Sequence, residues 1–341
     1  MRFSRRIFHV GAAIALGAAS AAVSFAQTSA IDALAAKRFG MPIISRGDNI
    51  PDFEPTRDSM HLLLIALHKG IPLSEFQART GFGQEKIDGL LRFLESKGYA
   101  HRREGRYSPS VFIADAEDGG RLFERALPIA REIVASIDVT LPRVKELFAR
   151  TGMSKIRPFE DWAFFLLSDV LLDNWQIDRV ERDFLKATSR PLRHGKNYYA
   201  AFLEKNPKNE PFGIYGNQVG DVSVYGNNRW RVEAATTENT ISAADAAFLE
   251  NVAEAFTPRL LNILEKNRPY AEKTYADLGY AKEIAFNEFF IWWYHFVYTK
   301  ATDLMAEAGM LRIPPDGNFL YRLTDKSLTA ADRPEGARKE R

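Results

Sequence analysis

Apolar residues recur at helical spacing along most of this chain, and the places where they stop doing so mark its turns. Positions 58–68 are apolar at that spacing, and Pro72-Leu73-Ser74-Glu75-Phe76 opens a second helix that stops at Thr80-Gly81. A third is predicted over 84–97, with Ile87, Leu90, Leu91 and Leu94 on one face and Gly98 as its stop. Two strands follow at 99–103 and 106–109, around Glu104-Gly105. Helical spacing returns at 122–137, 141–151, 159–174 and 179–187, and briefly at 198–205. It breaks at 206–241, where Pro207, Pro211 and repeated Gly and Asn predict a small β-meander near 207–235. The two Tyr-Gly-Asn triplets, at 215–217 and 225–227, read as hairpin turns. Helices resume at Ala243 behind Ser242, a residue suited to the N-cap, with Asp245 three residues on. Gly279 divides the last long helices. The fold class predicted is mainly α, with a compact unit at 58–114 and a larger helical domain at 115–325 that carries the β insertion. Residues 27–57, broken by Gly40, Pro42, Gly47, Pro51 and Pro55, read as an irregular leader, and polar 326–341 as a loose tail.

The first 26 residues stand outside this pattern. Arg2, Arg5 and Arg6 precede an uncharged Ala- and Gly-rich run that ends in Ser24-Phe25-Ala26, small residues at −3 and −1 of a cleavage point after Ala26. Ser4-Arg5-Arg6-Ile7-Phe8 resembles the twin-arginine export signal, although His9 and Val10 depart from its usual continuation. The resemblance implies export of a folded protein to a periplasmic or secreted location; ordinary secretion and an N-terminal anchor are the alternatives. The chain's formal charge is +2, and the signal holds three arginines and no acid, so the mature remainder is near neutral. Nothing in that balance draws it to polyanions. Cysteine is absent, which excludes disulfides, Cys-ligated metal clusters, covalent c-type haem and thiol catalysis.

Three helices followed by a hairpin resemble a winged helix-turn-helix domain over about 58–110. The Thr80-Gly81-Phe82 turn, the Leu-rich third helix running into Glu95-Ser96-Lys97-Gly98-Tyr99, and the arginines of the hairpin carry the resemblance. That family implies duplex DNA as a partner. The third helix here sets Glu85, Asp88 and Glu95 against Lys86, Arg92 and Lys97, a sum of zero. Readers of DNA need several cations for phosphates besides their base contacts. An exported protein also meets no chromosome, so the unit reads as a structural or protein-contact surface.

Candidate chemistry lies in three places. Residues 286–298 are apolar nearly all round, and predict a buried central helix; the uncharged run 289–299 is 11 residues, too short for a membrane span of about 20. Glu288, Trp292, His295, Thr299 and Thr302 share one stripe of it. A buried carboxylate and imidazole make an acid–base pair, two metal ligands, or a polar network that fixes helix packing. On the helix predicted at 159–174, Asp169 and Asp173 share a face with Trp162 and Leu166. Such a pair calls for a positive partner, His295, Arg179, Arg182 or a metal ion, unless it caps or salt-bridges locally. The stretch 190–199 gathers Arg193, His194, Lys196, Tyr198 and Tyr199, a loop able to hold an anionic ligand or simply a solvated connector. His61 and His68 read as core or boundary histidines. No sequence motif names a reaction. The readings left are an exported binding or interaction protein with a small-molecule or protein partner, and an exported enzyme using the buried carboxylates and His295, with or without a metal.

Overall fold

The run Tyr198-Tyr199-Ala200-Ala201-Phe202-Leu203 has no charged position, and that property organises the interior. In the computed structural model, residues 29–47, 49–205, 213–219, 221–226 and 237–324 are described. The segment expected to be an export signal, parts of the expected meander and the expected tail lie outside them.

In chain order, α1 (Ala30–Ala35) is followed by two short strands, β1 (Phe39–Gly40) and β2 (Ile43–Ile44). Next come α2 (Met60–His68), α3 (Leu73–Thr80), α4 (Gln84–Ser96), the hairpin of β3 (Ala100–Arg103) and β4 (Arg106–Pro109), and β5 (Phe112–Ala114). α5 (Ala116–Phe148) and α6 (Met153–Ile156) lead to α7 (Phe159–Phe164), which continues as a π-helical segment, Phe165–Val170. α8 (Ile177–Arg179) likewise continues into a second π-helical segment, Val180–Phe184. β6 (Leu192–Arg193) and β7 (Lys196–Asn197) form a hairpin, and β8 (Tyr199–Glu204) follows directly. The remaining strands are β9 (Tyr215–Val219), β10 (Val222–Gly226), β11 (Thr240–Ile241) and, near the end, β12 (Asn318–Leu323). Between β11 and β12 lie α9 (Ala243–Lys266), α10 (Arg268–Asp277) and α11 (Phe286–Glu307). The fold is mainly α, as the periodicity predicts.

β8 is the partition. It pairs with β1 and β2 antiparallel and with β5 parallel. Tyr198, Ala200 and Phe202 point into a core built by α1 to α4, while Tyr199, Ala201 and Leu203 point into the core of the later helices. β5 alternates the same way, Ile113 to the first core and Phe112 and Ala114 to the second. A strand covered on both faces reads as a continuous apolar run. Hence 198–205 mimics a short helix in sequence but is a strand: its backbone donors and acceptors are satisfied by three neighbours distant in the chain.

Two further differences have local causes. The stretch 116–148 is one helix and not two, although it contains Pro128 and Pro142. It starts firmly: Asp115 accepts from the amides of Glu117 (3.1 Å) and Asp118 (3.0 Å), and the Asp118 carboxylate returns to the Asp115 amide at 3.4 Å. The leader carries α1, whose Ser29 hydroxyl accepts from Asp32, and the two edge strands, so its described part is ordered structure held by β8. Ser242 does cap α9, accepting from the Asp245 amide at 3.1 Å. β9 and β10 do pair, but Tyr215-Gly216 and Tyr225-Gly226, expected in turns, face each other in the strands, because the chain reverses between the two strands and not at the triplets. β12 and then β11 extend the sheet. Among the described residues no helix is long and apolar enough to cross a membrane.

Candidate functional site

Arg193 reaches its place through a two-residue turn. His194 (φ 48°) and Gly195 (φ 80°) both hold positive φ, the geometry that matches the twist of a tight hairpin. The turn sends the Arg193 side chain inward, where it is 3% exposed. Its guanidinium donates to the Gly98 carbonyl, to the Ser110 carbonyl at 2.8 Å and to the Glu288 carboxylate. It also lies over the rings of Tyr99 (5.4 Å) and Tyr198 (5.9 Å). Gly98 has φ +72°, where a side chain is strained, and a Cβ there would meet the Arg193 Cα only at contact distance, 3.4 Å. One arginine thus ties the end of α4, the end of β4 and the start of α11 together. Burial pushes the Glu288 carboxyl up to about 7, and Arg193 only partly offsets it.

His295 stands apart from this pair. Its Nδ1 lies 2.7 Å from the Ile291 carbonyl of its own helix, and its ring packs against Trp292 and Tyr298. Burial lowers its pKa to about 4, so the imidazole is neutral at physiological pH. The rest of the stripe makes separate bonds. Thr299 accepts from the Ile214 amide at 2.8 Å, and Thr302 meets Ser168 at 2.6 Å.

Asp169 and Asp173 sit at the π-helical segment Phe165–Val170 and just after it, both buried. Inserted π turns recur at functional sites because they re-aim side chains. Asp169 accepts from the Asn174 amide at 3.3 Å and from its side-chain nitrogen at 2.5 Å. The Oδ2 atoms of both aspartates have no hydrogen-bond partner. The Tyr298 hydroxyl lies against Asp173, and Tyr225, Tyr294 and Tyr321 complete the shell. Among the described residues no cation faces the pair. Arg179 bonds to the Trp175 carbonyl and to Glu250, Arg182 pairs with Asp183 at 2.6 Å, and His295 is occupied on its own helix. Burial raises both carboxyls, Asp173 to about 8, and each opposes ionisation of the other.

The loop residues do not converge either. Arg193 turns inward, whereas exposed His194 bonds outward to Asp52 (2.9 Å) and Lys97 (3.0 Å). Lys196 is half-buried in β7. Tyr198 and Tyr199 enter opposite cores. The sequence-marked residues therefore fall into three places; Glu288 and Arg193 form an ion pair, with Tyr198 beside the same guanidinium, and Asp169 and Asp173 neighbour only each other.

These two line a cleft of about 500 Å³ between the β3–β4 hairpin, the β6–β7 hairpin and the start of α11. Its wall includes His101, Arg103, Ser110, Leu192, Glu283 and Ile284. That volume lies within the range of small-ligand sites. Beside it runs an ion network that periodicity did not disclose. His68 Nδ1 is 2.7 Å from Glu283 and its Nε2 3.3 Å from Asp118. Lys69 bridges Asp118 (2.8 Å) and Asp115 (3.0 Å), and Lys37 bridges Asp115 (3.0 Å) and Glu204 (3.1 Å). Burial would lower the His68 pKa, but its two carboxylate partners raise it to about 9. The only sequence sign was a charged pair, His68-Lys69, closing an apolar helix. Among the described residues no three His, Asp or Glu side chains converge so as to hold a metal ion. Comparison of the chain with protein families, with curated proteins and with solved structures gives no match.

Proposed function

We propose that this chain is an exported binding or interaction protein. In this reading the winged-helix-like unit is one wall of a binding cleft and not a reader of DNA. The observation that carries it is the burial of Arg193 against Gly98, Ser110 and Glu288, which fixes that unit to α11 and shapes the cleft between them. A module held this way presents one constant surface. The enzyme reading draws on Glu288, His295, Asp169 and Asp173; of these only Glu288 lines the cleft, where it is paired with Arg193, and the other three lie elsewhere.

Site-specific photocrosslinking tests this. A benzoylphenylalanine is placed at Leu192, 69% exposed at the cleft mouth, or at Val139, 70% exposed on α5. Adducts formed in the exported compartment at position 192 and not at 139 support the cleft. Equal labelling at both sites removes it, and a sequence-specific duplex complex surviving physiological salt removes the non-DNA assignment.

A further inference from the structure

The cleft also bears on the chemistry of its partner, an inference that rests on the reading just given. The β3–β4 hairpin turns on Glu104 (φ 50°) and Gly105 (φ 80°), and its last register pair sets Arg103 opposite Arg106. Like charges directly opposite on antiparallel strands are destabilising. Some exposed arginines of this protein pair with acids, Arg143 and Arg150 with Glu146 and Arg182 with Asp183. Others, the hairpin arginines among them, do not. Among the described residues Arg103 and Arg106 make no ion pair, and Arg102 lies over the Tyr107 ring at 5.7 Å instead of on a carboxylate. The acids of the cleft wall are already committed, Glu283 to His68 and Glu288 to Arg193. Arg103, which lines the cleft, and Arg106 opposite it therefore place two exposed cations at the edge of a cleft whose other edge presents Leu192 to solvent.

We infer that the hairpin tip and the cleft together dock an acidic peptide segment of a partner protein. Its carboxylates meet Arg103 and Arg106, and one apolar side chain enters the cleft beside Leu192, Pro191 and Ile284. An outside negative charge relieves the Arg103–Arg106 repulsion that the fold leaves in place. A duplex has no protruding apolar group for the cleft, and the adjacent α4 face carries no net positive charge to follow a phosphate backbone.

Fluorescence anisotropy on the mature chain tests the assignment with labelled Glu-Glu-Leu-Glu-Glu, Glu-Glu-Ser-Glu-Glu and Lys-Lys-Leu-Lys-Lys peptides, a labelled DNA duplex and phosphatidylglycerol vesicles. The acidic Leu peptide should bind, weakening as salt is raised, and the Ser peptide should bind about tenfold more weakly. Arg103→Glu with Arg106→Glu should cost at least about tenfold while leaving the melting temperature about unchanged, since both side chains are exposed and the reversal replaces one like-charge pair with another. Four results overturn the inference: no binding of the acidic Leu peptide at low salt, equal binding of the basic peptide, duplex or vesicles bound more tightly than the peptide, or indifference to the double charge reversal. If crosslinks at position 192 persist while the peptide fails, the cleft stands and only the acidic partner falls.

Discussion

Replacing Asp173 by Asn isolates the most unusual electrostatic feature of the interior. In the unfolded chain an aspartate titrates near 3.9. In the folded chain burial raises Asp173 to about 8, with Asp169, Tyr225, Tyr294, Tyr298 and Tyr321 around it and no cation among the described residues. The folded state therefore holds this proton more tightly than the unfolded state. The stability it contributes is complete below about pH 4, declines as pH rises toward the folded value, and is flat above it. The slope is about 1.4 kcal/mol per pH unit for one such carboxyl, so the loss from pH 5 to pH 7 is about 3 kcal/mol. That is a large part of a typical folding stability of about 5–15 kcal/mol. Asn keeps the shape and cannot ionise. Urea unfolding of wild type and Asp173→Asn across about pH 5 to 9 should show the gap widening in the variant's favour by about 3 kcal/mol between pH 5 and 7 and levelling off above pH 8. Titrating groups that do not interact with Asp173 cancel in that difference, and comparing the two proteins in an Asp169→Asn background removes the one that does. Parallel curves, with a gap independent of pH, would refute the argument, because they require Asp173 to be solvated or paired.

Arg193→Met should cost about 3–5 kcal/mol in thermal or urea unfolding, since it leaves Glu288 buried without its partner, and adding Glu288→Leu should recover much of that. The His68 imidazole should remain protonated at neutral pH by NMR titration; its contribution to stability is full below pH 6.5 and lost as pH rises through about 9, so His68→Gln should flatten that limb. Gly98→Ala should destabilise by about 1 kcal/mol, because its positive φ opposes a Cβ. Arg5→Lys with Arg6→Lys should leave the precursor inside the cell; unimpaired export would leave ordinary secretion as the route.

Local pattern by itself determined the mainly helical class, the helix-helix-helix-hairpin order of α2 to β4, the Ser242 cap and the burial of 286–298, because periodicity and caps act within a few residues. It also marked Glu288, His295, Asp169 and Asp173 as buried ionisable groups, since charges inside apolar runs are visible without a structure. Pairing was another matter. Glu288 meets Arg193, 95 residues away, and His68 meets Glu283, 215 residues away. No periodicity reports on contacts of that range. The two-residue turn at His194-Gly195 resembles the one recognised at Glu104-Gly105, yet only the fold shows it aiming an arginine inward. The same limit explains why 198–205 reads as a helix: a strand buried on both faces loses its alternation, and only its partners β1, β2 and β5 reveal what it is. What the tertiary structure alone decided is which charges share a site, because burial fixes the need for a partner while the fold's long-range geometry supplies one, as at Glu288, or withholds it, as at Asp169 and Asp173.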